Sequence, residues 1–209
     1  MSESLQESSP YAVRQIGSNY HSEAERLDLA RRYNTKDFDG MGRQVRTPTL
    51  KSPDQPVFFG LFDRSDSPLD CLGSEPASRL LGFVRLLRPY PVSASRFTRI
   101  MERNTSRAAR TYLIGQLVLG NEVIMEHEAG VLLAKSAIIE ARRHHADYYE
   151  AEDLDIDHTP YPKPKRISTT VTPDSIGYHV FVDLGFKSSG EGSRKPNGEF
   201  TRLGLELPL

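Results

Sequence analysis

The chain has 209 residues, a single cysteine (Cys71), a formal net charge of −1 and 37% hydrophobic residues. That length suits one domain with a sizeable core, and the balanced charge gives no electrostatic reason to expect nucleic acid or an anionic membrane as a generic partner. One cysteine excludes an internal disulfide framework and a Cys-rich metal site, and no apolar run reaches the roughly 18–20 residues that span a bilayer.

Residues 1–10 are acidic and Ser-rich and lack the basic and apolar parts of a secretory signal. They read as a disordered tail ahead of a single domain at 11–209, and the expected location is cytoplasmic. Tyr11 to Ile16 roughly alternates apolar and polar residues and predicts a strand. His21 to Tyr33, with Ala24, Leu27, Leu29 and Ala30 at near-helical spacing, predicts a helix. Residues 34–55 carry Gly, Pro, Thr and Asp with little periodicity and read as loop. Val57 to Phe62 and Ser78 to Leu87 predict two strands, joined by the Pro- and Gly-containing stretch Asp63 to Ala77. A short helix is expected over Ser93 to Met101.

Arg110 to Leu119 predicts the central strand, because its second half is mostly apolar, as in a strand buried on both faces. Glu122 to Arg143 predicts the longest helix, with Val131, Ala134, Ile138 and Ala141 on one face. Asp147 to Leu154 reads as a strand. Residues 155–171, with Pro160, Pro162 and Pro164, read as an irregular loop. Pro173 to Leu184 predicts the last helix, capped by Thr172. Gly185 ends it, Phe186 starts a strand, and Phe200 to Leu207 is the final strand. The acidic run Asp153 to His158 misses the calcium-loop pattern, since His158 and Pro164 stand where Gly and Glu belong. No metal site is expected.

Strand, loop, long helix, strand, then a helix ending in Leu184-Gly185-Phe186 resembles the N-acetyltransferase superfamily called GNAT. The resemblance covers roughly residues 55–207. It implies an α/β (α+β) fold with a mixed, mostly antiparallel central sheet flanked by helices. It also implies acetyl-CoA or another acyl-CoA as acyl donor and a primary amine, on a small molecule or a protein, as acceptor. In that superfamily the central strand ends in a triplet matched here by Leu117-Val118-Leu119. The loop after it reads Arg/Gln-x-x-Gly-x-Gly/Ala and opens a helix whose amides hold the coenzyme's pyrophosphate. With one extra loop residue, Met125 takes the Arg/Gln position, Glu128 the first Gly and Gly130 the last. The implied donor site is then Leu117, Val118, Leu119, His127, Glu128, Ala129, Gly130 and Val131. Glu126 and Glu128 put two carboxylates where an anion is expected.

The family's acid is often a Tyr four residues before the Gly of Gly-Phe. That position is Phe181 here, and Tyr178, one turn earlier on the same side of the helix, is the substitute candidate. Gln116 on the central strand cannot act as base; Glu150, with Glu152, is the candidate from the next predicted strand.

A second resemblance, within the same superfamily, lies in Leu80 to Pro91 followed by Phe97. Gly82-Phe83-Val84-Arg85-Leu86-Leu87 is similar to the Gly-x-x-Arg-Leu-Leu stretch of acyl-homoserine-lactone and N-acyl amino acid synthases, and Asp37-Phe38-Asp39 to their acidic/aromatic cluster. Those donors ride on acyl carrier protein. Three readings therefore stay open: an acyl-CoA N-acyltransferase, a carrier-dependent synthase, and a GNAT-shaped module that binds without catalysing. A second copy of the chain is open as a partner.

Overall fold

The computed structural model describes residues 9–34, 57–64, 79–89, 111–147, 164–194 and 196–209. The strands are β1 (Tyr11–Ile16), β2 (Val57–Asp63), β3 (Gly82–Leu87), β4 (Thr111–Leu119), β5 (Arg166–Val171), β6 (Lys187–Arg194) and β7 (Phe200–Pro208), and the helices α1 (His21–Asn34), α2 (His127–His145) and α3 (Ile176–Asp183). The sheet runs β1-β2-β3-β4-β5-β7-β6, so β4 is its middle strand, and every neighbouring pair is antiparallel except β4–β5.

Successive strand residues point to opposite faces. Leu61, Val84, Leu86 and Ile114 face one layer, where they meet Leu133, Ala134, Ile138 and Ala141 of α2 and Val180 and Phe181 of α3. Phe62, Phe83 and Val118 face the other, where they meet Tyr20 and Leu27 of the α1 side. Burying a Leu, Val or Phe side chain is worth about 1.5–3 kcal/mol, so this two-sided apolar packing explains why the central strands carry so few polar residues. Among the described residues, no helix is long and apolar enough to cross a membrane.

The mixed, mostly antiparallel sheet with helices on both faces is the expected architecture. Four boundaries differ. The long helix starts at His127, not Glu122. Residues 121–125 make turns instead, with the Val123 amide on the Gly120 carbonyl (3.0 Å) and the Glu126 amide on the Val123 carbonyl (2.9 Å). Val123 anchors that turn in the core while Met125 is 81% exposed. The expected irregular loop over 155–171 is corrected at its end: Arg166 to Val171 is strand β5. Ile167, Thr169 and Val171 alternate inward there, a β-branched period of two that the preceding prolines obscured. The last helix begins at Ile176 and is capped by Ser175, whose Oγ accepts from the Tyr178 amide (3.1 Å) and donates to the Thr172 carbonyl (2.7 Å). Asp174 sits at φ +57°, a left-handed turn that stops the helix from starting at Pro173. Asp147, expected to open a strand, follows the end of α2, with its carboxylate 3.7 Å from Arg143. The rest of that expected strand and the short helix at 93–101 lie outside the described residues.

Candidate active site

The parallel ladder between β4 and β5 ends at Ile114 opposite Thr169. The buried Thr169 hydroxyl donates to the Ile114 carbonyl (3.0 Å), tying the strands together at their last paired residues. One residue later β4 bulges: Arg85 of β3 pairs with Gln116 and Leu86 with Ile114, leaving Gly115 as the extra residue. A bulge shifts side-chain parity and sharpens local twist. The parity shift is visible in the packing: Tyr112 and Ile114 share the α2 layer with Leu117 and Leu119, not with Gln116 or Val118. Beyond the bulge the two strands part.

A cleft of about 330 Å³ fills the gap. Its walls are the bulge itself (Gly115, Gln116), apolar side chains of β4 and α3 (Leu117, Leu119, Val180, Phe181) and the hydroxyl-bearing run Thr169, Thr170, Thr172 and Ser175. Arg202 of β7 stands exposed at the rim. The strand edges that face each other here have no ladder partner in one another, so their amides and carbonyls are available to a ligand lying between them.

Helix α2 starts at His127, after the turns that follow β4. Its cap, Glu126, makes no side-chain bond to the first-turn amides. The Glu126 carboxylate instead accepts the Tyr11 hydroxyl from β1. That bond, with partial burial and the charges of Glu126, Asp63 and Glu128, pushes the Tyr11 phenol up to about 12. Tyr11 should therefore titrate well above an ordinary tyrosine, and Glu126→Gln should return it toward 10. Ring-carbon NMR over a high-pH series reads this directly, and an unshifted Tyr11 would mean that Glu126 is held elsewhere. Next to it, His127 Nε2 lies 3.0 Å from the Asp183 carboxylate at the end of α3. Glu128 is exposed, Ala129 and Gly130 are buried, and Val131 is half-buried. Gly130 is a packing residue: a Cβ there would lie 2.8 Å from Val180 Cγ2, so its hydrogen lets α2 and α3 touch.

Of the triplet, Leu117 and Leu119 line the cleft, while Val118 points into the α1 layer. Tyr178 is half-buried at the core's margin, its ring 5.4 Å from that of His179, and the cleft wall at this turn is Val180 and Phe181 instead. Phe181 is 2% exposed and packs edge-on to Phe186 at 5.1 Å, so the position of the expected acid carries an apolar ring. Gln116 is in the wall, with its amide 3.5 Å from Asp28 of α1. Glu150 lies outside the described residues. Sequence reasoning passed over Gly115, the Thr169–Ser175 run and Arg202; the alternating β-branched residues of β5 were the signal for the second of these.

Several solved structures with the same fold across nearly the whole chain are acetyltransferases. An acetyltransferase of the GNAT family from Streptococcus pneumoniae has 14% identity and a TM-score of 0.54, covering 95% of this chain and 99% of its own. The chain has the GNAT fold. An N-acyl amino acid synthase from uncultured soil microbes, FeeM, matches at 14% identity and a TM-score of 0.54 over 95% of this chain and 90% of its own. Nourseothricin acetyltransferase matches at 15% identity and a TM-score of 0.50 over 96% and 99%. No protein-family model and no curated protein matches the sequence.

Proposed function

We propose that this GNAT-fold protein is an N-acyltransferase that takes its acyl group from acetyl-CoA or another acyl-CoA and passes it to a primary amine. The observation that carries this reading is the cleft opened between β4 and β5 by the Gly115 bulge, which reaches Ile124 in the turn ahead of α2. A pantetheine arm is an amide-bearing thread. It needs unpaired strand edges for its amides and apolar walls for its methylenes, and the cleft offers both. The α2 amides suit the pyrophosphate, because a helix start has donors without intrahelical partners. Two of the three carboxylates nearby are engaged, Glu126 by Tyr11 and Asp183 by His127, while Glu128 is exposed. The residues present therefore fit the donor.

In the reaction the neutral amine attacks the thioester carbonyl. A C–N bond forms, the C–S bond breaks, its electron pair leaves on sulfur, and the nitrogen gives up one proton to solvent water. Gln116 in the wall orients but does not take that proton, since an amide is not a base at neutral pH. Phe181 gives no proton to sulfur. A thiol with a pKa near 8.5 leaves as thiolate at slightly basic pH without one, so the missing acid is no bar to transfer.

A second reading, a synthase fed by acyl carrier protein, is favoured by one observation: Glu128 and the neighbouring Glu126 and Asp183 leave the α2 start more acidic than a three-phosphate donor prefers. The FeeM fold match runs the same way. The test is calorimetric titration with coenzyme A and acetyl-CoA, followed by thiol release with a panel of primary amines. Micromolar binding and amine-dependent thiol release are expected. Absence of coenzyme binding would remove the acyl-CoA reading and leave the carrier-fed synthase or a non-catalytic binding module.

A further inference from the structure

Arg85 of β3 stands at the bulge that opens the cleft. It pairs with Gln116 across the ladder, and a Cβ on Gly115 would lie 3.0 Å from its Nη2 and 3.2 Å from its Nε. Gly115 thus leaves the space that the guanidinium fills; Gly115 and Gln116 are cleft wall, and Arg85 lies behind them. Arg85 Nε is buried without a hydrogen-bond partner, as is Arg88 Nε, but Arg88 reaches Glu140 through Nη2. Other arginines of the sheet and its margins are matched to carboxylates: Arg88 to Glu140, Arg166 to Glu206, Arg79 to Glu122. Arg85 makes no hydrogen bond or ion pair among the described residues; Asp28 of α1 is the opposing charge that acts on it, while burial disfavours its charged form. A half-buried guanidinium with donors unspent is costly unless something else accepts them, and such groups persist where a ligand does so.

Resting on the acyltransferase reading, we propose that Arg85 recognises a carboxylate on the acceptor, so that the acceptor is an amino acid or a similar small amino carboxylate. A guanidinium fork matches a carboxylate with two parallel bonds. Asp28, whose carboxylate Gln116 approaches at 3.5 Å, presents the opposite sign beside it. A molecule with an amine and a carboxylate on neighbouring carbons answers both charges. A phosphate dianion answers Arg85 but meets roughly twice the repulsion from Asp28.

The experiment needs no variant at first. The full-length protein is titrated by calorimetry with the standard L-amino acids and with their primary amides, which keep the amine and lose the carboxylate charge. At least one amino acid should bind about a hundredfold more tightly than its amide, the size expected when one partner of a buried charge pair is removed. In Arg85→Ala that preference should vanish, and in Arg85→Lys, which keeps the charge without the fork, part of it should return. Coenzyme A affinity should be the same in all three proteins. Equal binding of acid and amide, binding of no amino acid, a preference for phosphoethanolamine, or a preference that survives Arg85→Ala would each overturn the assignment. The two readings fail separately: coenzyme binding without acid selectivity leaves the acyl-CoA reading and removes the Arg85 role, whereas acid selectivity without coenzyme binding keeps the Arg85 role and removes the acyl-CoA reading.

Discussion

Gly130→Leu should cost the protein about 3 kcal/mol or more of folding stability, and Gly130→Ala about 1–2 kcal/mol net. The reason is local. The first added carbon would sit 2.8 Å from Val180 Cγ2, and Val180 is fully buried. Alanine should otherwise help, since it gains about 1 kcal/mol over glycine inside a helix. A net loss in Gly130→Ala therefore measures the clash. Val180→Ala supplies the control: alone it should destabilise by deleting buried methyl groups, but combined with Gly130→Ala it should cost less than the sum of the two. Urea melts of the four proteins give the coupling, and simple additivity would show that α2 and α3 do not press together there. The result bears on function as well. A bulky residue at 130 that abolishes coenzyme binding would report lost helix packing, not a lost phosphate contact, so loss of binding there is no evidence for a pyrophosphate site.

What the sequence discloses and what it hides follow from how local each signal is. The middle strand was legible because Leu117, Val118 and Leu119 are apolar in succession, which only a strand covered on both faces needs. The end of α3 was legible because Gly185, at φ +89°, stops the helix and Phe186 turns straight into the core. Strand β5 was not: it is six residues long, follows three prolines, and owes its place to a parallel pairing with β4, a contact about fifty residues distant in sequence. The cleft itself was invisible for a related reason. A glycine within a strand is compatible with ordinary pairing, a bend or a bulge. What makes Gly115 a bulge is the register of β3 against β4, and that register is a property of two strands. The same register puts Arg85 beside it. Tyr178 and Phe181 show the limit of helix arithmetic: both fall on one side of α3, yet only Phe181 reaches the cleft, because the helix begins at Ile176 and its core-facing stripe is Val180 and Phe181.

Replacing Glu126 and Glu128 together by glutamine should tighten coenzyme A binding roughly tenfold at low salt, with a smaller gain at physiological salt. Both side chains are exposed, so the repulsion belongs to a water-like dielectric. A carboxylate about 5 Å from one phosphate charge is then opposed by about 0.8 kcal/mol, and two such contacts by roughly 1.6 kcal/mol. That is enough to weaken a micromolar ligand and too little to forbid it. Screening sets the salt dependence: at a Debye length of about 8 Å the interaction is already reduced, and it recovers as salt is removed. Stability should move the other way, because each carboxylate in or next to the first turn of α2 is worth about 0.3–1 kcal/mol against the helix dipole. The Tyr11 bond predicts an asymmetry between the two positions. Glu126 is held toward β1 by the Tyr11 hydroxyl, whereas Glu128 has no such tether, so Glu128→Gln alone should carry most of the affinity gain and Glu126→Gln most of the change at Tyr11. Calorimetry on the single and double variants at two salt concentrations separates these effects. Equal affinity in wild type and double variant would mean that both carboxylates face away from the pyrophosphate. Tighter binding that ignores salt would mean that the gain comes from rearrangement of the turn and not from the charge removed.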